Sequence, residues 1–135
     1  MIQRILTAAA LIVLLLGTSV GFAAELPTGG GEPGAALLRH FEAVRSGDAN
    51  RIKEETHPDE HAMLDAAIAS GEFEMMIDFM QAFLPDNVAV HGGTSDGDGA
   101  EVSFSGDMDG APVKGTATMA RVNGRWMVQG ISMSD

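Results

Sequence analysis

Two histidines, His57 and His61, stand four residues apart in the segment Thr56-His57-Pro58-Asp59-Glu60-His61. On a continuous helix that spacing puts both imidazoles on one face, where they can share a metal ion. Glu54, Glu60 or a methionine thioether could complete the ligand set. Nine methionines in a chain without cysteine would suit copper chemically. Pro58 works against the arrangement, because a residue before proline is pushed out of the helical region and His57 then precedes the helix. The plainer reading has solvated histidines, with Met75, Met76 and Met80 filling an apolar core. A His57/His61 metal site is therefore an alternative, and no cofactor is expected.

Asp96-Gly97-Asp98-Gly99 has the acid–glycine alternation of part of a calcium loop. Its twelfth position is Asp107, not the glutamate such a loop needs, so an acidic hairpin turn is the better description. Asp107 and Asp109 belong to a second hairpin. His40 and Arg39 could line a pocket, but they more simply flank the buried Leu38 and Phe41.

The elements that must position these residues follow from the pattern of the 135-residue chain. Arg4 precedes a 12-residue run, Ile5 to Leu16, interrupted only by Thr7; Gly21-Phe22-Ala23-Ala24 comes next. A basic start, a short apolar run and a small-x-small site predict a secretory signal peptide over residues 1–23. Cleavage after Ala23 fits best, and cleavage after Ala24 stays open. The run is short for a bilayer, which needs about 20 apolar residues, so the processed chain is expected to be free of the membrane. The expected location is periplasmic or secreted. Without Arg4 the charge is 7 Lys+Arg against 19 Asp+Glu, a net −12. So acidic a surface repels phosphate backbones and disfavours nucleic acid.

Residues 24–34, glycine- and proline-rich, predict a flexible lead-in to a single domain over residues 35–135. Leu37, Leu38, Phe41 and Val44 recur at helical spacing and predict a helix over 35–46, stopped by Gly47. Asp48 can cap a short helix over 49–56. Pro58 opens a third helix to Ser70, and Glu72 to Leu84 a fourth, striped by Phe73, Met76, Ile77, Met80, Phe83 and Leu84. Beyond Pro85 the pattern alternates. Strands are expected at 88–91, 100–106, 113–122 and 125–133, with a turn across Gly92 to Gly99 and hairpins at Asp109-Gly110 and Asn123-Gly124. Helices followed by strands predict an α+β fold, with the helices on one face of an antiparallel sheet. Trp126 is expected to share one core with Phe73, Ile77 and Met80. Alternation puts Trp126 and Val128 on one face of the last strand and Met127, Ile131 and Met133 on the other, and that outer apolar face suggests a homodimer.

Three stretches carry a resemblance: Leu38-Arg39-His40-Phe41-Glu42-Ala43-Val44-Arg45-Ser46-Gly47-Asp48, then Thr56-His57-Pro58, then Asn123-Gly124-Arg125-Trp126-Met127-Val128. In that order the chain resembles nuclear transport factor 2-like domains, the cystatin-like or ketosteroid-isomerase-like cone fold, over roughly Ala35 to Met133. The resemblance implies a curved sheet wrapped around an apolar cone pocket, here formed by Phe41, Met76, Met80, Phe104 and Trp126. Enzymes of that group, the steroid isomerases and scytalone dehydratases, use tyrosine as oxyanion donor or acid, and this chain has no tyrosine. No catalytic residue is assigned. The expected function is an exported, non-catalytic binding domain for a small apolar ligand or a protein partner. The alternatives are a small isomerase, dehydratase or hydrolase of the same fold, and a periplasmic metal-binding protein.

Overall fold

The structure, a computed structural model, describes residues 24–135. Residues 1–23, expected to form a signal peptide, lie outside the described residues. Strand β1 (Ala24–Glu25) leads into helices α1 (Gly31–Ser46), α2 (Ala49–Glu54), α3 (His61–Ser70) and α4 (Phe73–Ala82). Strands β2 (Asp86–Asp96), β3 (Gly99–Met108), β4 (Ala111–Val122) and β5 (Arg125–Ser134) follow. The fold is α+β, with the helices first and then a curved antiparallel sheet in the order β1-β2-β3-β4-β5.

Helix α1 starts four residues earlier than the apolar spacing predicts, taking in part of the lead-in. Pro33 sits in the first turn, where its missing N–H costs nothing, and Glu32 lies at the positive end. Leu37, Phe41 and Val44 are buried as expected, but Leu38 points out and is 40% exposed. The predicted second helix ends at Glu54, because Thr56 leaves it to bridge Val128 in parallel. The third is preceded by a 3-10 turn over Pro58–Glu60, and the fourth is shorter at both ends.

The expected turn across Gly92 to Gly99 is wrong. β2 runs on to Asp96, and only Gly97 and Asp98 turn. Gly-Gly reads as a turn because glycine is the residue of positive φ, and here φ is indeed +148° at Gly92 and +152° at Gly93. The use is different, however. Gly93 lies so close to the Glu101 carbonyl that any Cβ would overlap it, and the register shifts between Val90 and Gly92. The extra, unpaired residue is His91, so β2 bulges just before the pair and bends there rather than ending. Asp109-Gly110 and Asn123-Gly124 are turns, with φ between +52° and +82°.

A bulge in β5 corrects the reading of that strand as well. Thr118 pairs with Gly130 and Met119 with Val128, so Gln129 has no partner. One extra residue flips the alternation beyond it. Ile131 and Met133 then lie opposite Ala117 and Gly115, on the same face as Trp126 and Val128, and Met133 packs on the core. The outer face is not apolar: it carries Ser103, Ser105, Thr116, Ser132 and Ser134 around Lys114.

The buried apolar residues form two clusters, not the single core expected. Ala36, Leu37 and Phe41 of α1 pack on the sheet with Val102, Phe104, Met119, Trp126 and Val128. Phe41 meets Phe104 edge-on at 5.5 Å, and Phe104 in turn covers Gly115, where a Cβ would overlap its ring. At the other end of α1, Ala43 and Val44 pack with Ile52, Leu64 and Ile77, joined by Phe73, Met76 and Met80. Leu84 touches both clusters. Gln81 fastens α4 to this end of α1 by donating to the carbonyls of Val44 and Arg45.

Candidate functional site

The residues expected to line one cone pocket are divided between the two clusters. Phe41, Phe104 and Trp126 are buried packing residues against the sheet, whereas Met76 and Met80 are half-buried under α4, in the second cluster. Close packing gives them the role of core.

The two histidines are used locally. His57 Nδ1 accepts the Asp59 N–H and so caps the 3-10 turn. His61 Nε2 lies 2.8 Å from the Lys53 carbonyl and 2.9 Å from that of Thr56, closing the end of α2. Among the described residues no group of three His, Cys, Asp or Glu side chains converges on a point that could hold a metal ion.

His40 is buried, while Arg39 beside it is exposed and points to Glu55. Glu55 is a buried carboxylate held between Arg39 of α1, at 3.3 Å, and Arg125 of β5. Its backbone also binds β5, through the Val128 N–H and its own carbonyl. This triad ties α1, the end of α2 and β5 together, so its chemistry is that of a latch. On the outer sheet face His91 Nε2 lies 2.6 Å from Ser105 Oγ. A serine nucleophile needs a base that is itself oriented by a third group. Among the described residues nothing bonds His91 Nδ1, and the imidazole is exposed.

What stands out is the outer side of the hairpin α3–α4. Met75 is 68% exposed, Phe79 66%, Met63 58% and Phe83 52%. The spacing explains it. Ile77, with Phe73, Met76 and Met80 around it, forms the stripe that α4 buries, and Leu64 is the one buried residue of α3. Met75, Phe79 and Phe83 fall four residues apart on a second stripe, with Phe79 and Phe83 rings 4.9 Å apart. Between the helices lies a groove of about 580 Å³, walled by Met63, Ala66 and Ala67 on one side and Met75, Met76 and Phe79 on the other. Met75, expected in the core, is thus the most exposed large apolar side chain of the described residues. The apolar pattern hides the groove: it counts Phe83 in the buried stripe, where it is in fact exposed, puts Met75 in the core and leaves Phe79 unplaced. Met75 and Phe79, which fall outside the buried stripe, were the signal.

No protein-family model matches the sequence, and no curated protein matches it. Among solved structures, the chain is similar to the solution structure of a SEC-C motif containing protein from Rhodopseudomonas palustris. The TM-score is 0.54 at 18% identity, over 77% of this chain and 80% of that one. It is also similar to the crystal structure of a de novo designed protein with a curved β-sheet, with a TM-score of 0.48 at 22% identity over 75% and 97%. At such identity the first likeness is one of fold.

Proposed function

We propose that the mature protein is an exported, non-catalytic interaction domain that works through the α3–α4 groove rather than through an interior cone. The observation that carries this is the exposed stripe Met75, Phe79 and Phe83 with Met63 across the groove. Large apolar side chains that a helix does not need for its own core are expensive to leave in water, and contiguous ones mark binding surfaces. An open groove between two helices suits a macromolecule better than a small ligand, which binds in a cavity that covers most of its surface. Export rests on the basic, apolar and small-residue order of the first 23 residues. Kinship with nuclear transport factor 2-like domains is part of the same reading, supported by helices preceding a curved antiparallel sheet.

A neutral solvatochromic dye, Nile red, tests the groove. The folded domain should enhance its emission, and Phe79→Ser should remove most of the enhancement. As an exposed substitution, it should change stability by no more than about 0.5 kcal/mol. Trp126, the only tryptophan, is buried against the sheet and serves as a second reporter. A dye bound in the groove leaves its emission unmoved; an emission shift with binding indifferent to Phe79→Ser places the ligand in the cone and sinks the groove. Intact mass of the exported product should begin at Ala24 or Glu25, and a membrane-bound product retaining Met1 would remove export from the reading.

A further inference from the structure

We infer that the occupant of the groove is a cationic amphipathic helix presented by another protein, an inference that rests on the groove being a binding surface. Shape favours a helix. Two packed helices offer a trough between side-chain ridges, and a third helix lays its own four-residue ridge into it. The Met75–Phe79–Phe83 stripe has the same four-residue step, and the thioethers of Met63, Met75 and Met76 can adapt to the side chains they meet.

Charge decides the sign of that helix. No lysine or arginine occurs from Glu54 to Val113, a stretch that holds 14 of the chain's 19 acidic residues. Three of them belong to α4 or its N-terminal cap: Glu72 lines the groove, and Glu74 and Asp78 are exposed residues next in sequence to Met75 and Phe79. All three are exposed, and among the described residues none is paired with a cation. Asp65 of α3, by contrast, is already bound to Lys53 at 2.7 Å. An apolar trough lined by Glu72, on a helix whose exposed surface carries the further unpaired carboxylates Glu74 and Asp78, is complementary to a helix with an apolar stripe and flanking lysines or arginines. The same charge argues against two other occupants. A second copy of the chain would set Glu74 and Asp78 against their twins, and an anionic membrane would be repelled.

The probe is an 18-residue Leu/Lys peptide designed as an amphipathic helix, with a Leu/Glu peptide of the same apolar stripe as control. The partner is the mature protein, followed by fluorescence anisotropy. The Leu/Lys peptide should bind and gain helicity, its affinity should fall as salt rises, and the Leu/Glu peptide should bind at least about tenfold more weakly. Phe79→Ser and the double variant Glu74→Lys/Asp78→Lys should each weaken the Leu/Lys peptide. The charge-reversed variant should improve the Leu/Glu peptide, a gain that misfolding cannot produce. Equal affinity for both peptides, or binding of neither while Nile red still enters the groove, overturns the cationic helix and leaves the groove standing. Loss of Nile red binding removes both. Sedimentation as a dimer that Phe79→Ser dissociates would assign the groove to a second copy. Flotation with phosphatidylglycerol vesicles would assign it to a membrane; either result overturns the inference.

Discussion

The two ends of α1 use the same residue types to opposite effect. Against the sheet, Met119, Phe104 and Phe41 are buried, each backed by a strand or by α1 itself. Around α3 and α4, Met63, Met75, Phe79 and Phe83 lie mostly in water, and the hairpin is held by Leu64 and Ile77 with a few half-buried neighbours. In the sheet-backed region Leu38 and Ile131 are exposed, at 40% and 37%, less than any of those four hairpin residues. The hairpin is apolar on two faces and has packing for one. Burial of a side chain contributes to folding, whereas a contiguous exposed apolar face marks a surface that a partner can cover. On the function proposed above, the contrast separates a structural body from a binding element within one small domain.

The largest effect should come from the body. Phe104→Ala removes a fully buried ring that packs on Phe41 and fills the space above Gly115. Truncation of a buried phenylalanine costs about 3–5 kcal/mol, against a total of about 5–15 for an ordinary domain. The melting temperature should fall by about 10 °C or more. A fall of only a degree or two would mean that the sheet side is as loosely packed as the hairpin, and the distinction would collapse.

Ile77→Ala should cost less, about 2 kcal/mol, the low end for a buried isoleucine, because the site lies near the surface and can relax. Its signature is regional. Amide exchange should accelerate in α3 and α4, while β3 and β4 keep their protection. Equal acceleration in the sheet would show that hairpin and body open as one unit.

How far the sequence disclosed this arrangement depends on which signal each residue carried. The order of elements was legible because helical and alternating periods switch cleanly at Pro85-Asp86-Asn87, and Asn123-Gly124 and Asp109-Gly110 turn as their chemistry requires. The path of β2 was not, because Gly92 and Gly93 signal positive φ without saying whether a chain turns or bulges. Gln129 was equally silent. Nothing in Val-Gln-Gly-Ile announces an unpaired residue, and missing it moves Ile131 and Met133 to the wrong face. The cone residues Phe41, Phe104 and Trp126 were correctly read as apolar and inward, but spacing along the chain cannot distinguish a lined cavity from a filled core. The groove escaped for the related reason that exposure is a property of what fails to arrive. Met75 and Phe83 look like core until the fold leaves their side of α4 uncovered.

The smallest effect expected is a pH dependence centred on His40, where α1 meets the end of α2. The ring is buried, with Nδ1 3.4 Å from the Glu55 carbonyl oxygen, to which the neutral tautomer can donate. Desolvation lowers its pKa below the ordinary 6.5, while the hydrogen bond to the Glu55 backbone and the Glu55 carboxylate pull the other way. Since the folded value is the lower one, the unfolded chain takes up the proton first as pH falls. Above about 6.5 the ring is neutral in both states and contributes no slope. Below that, stability declines with pH until the folded value is reached, after which the loss stops growing. Other groups titrate nearby, so the measurement is a difference. Urea unfolding at pH 7.5 and 5.5 should show a smaller acid loss for His40→Gln, which keeps a donor for the Glu55 carbonyl, than for the parent. The loss belongs to the body, so acid should raise amide exchange in β5 and α1 before it alters Nile red binding at the hairpin. Equal losses in parent and variant would show that the acid sensitivity does not come from His40.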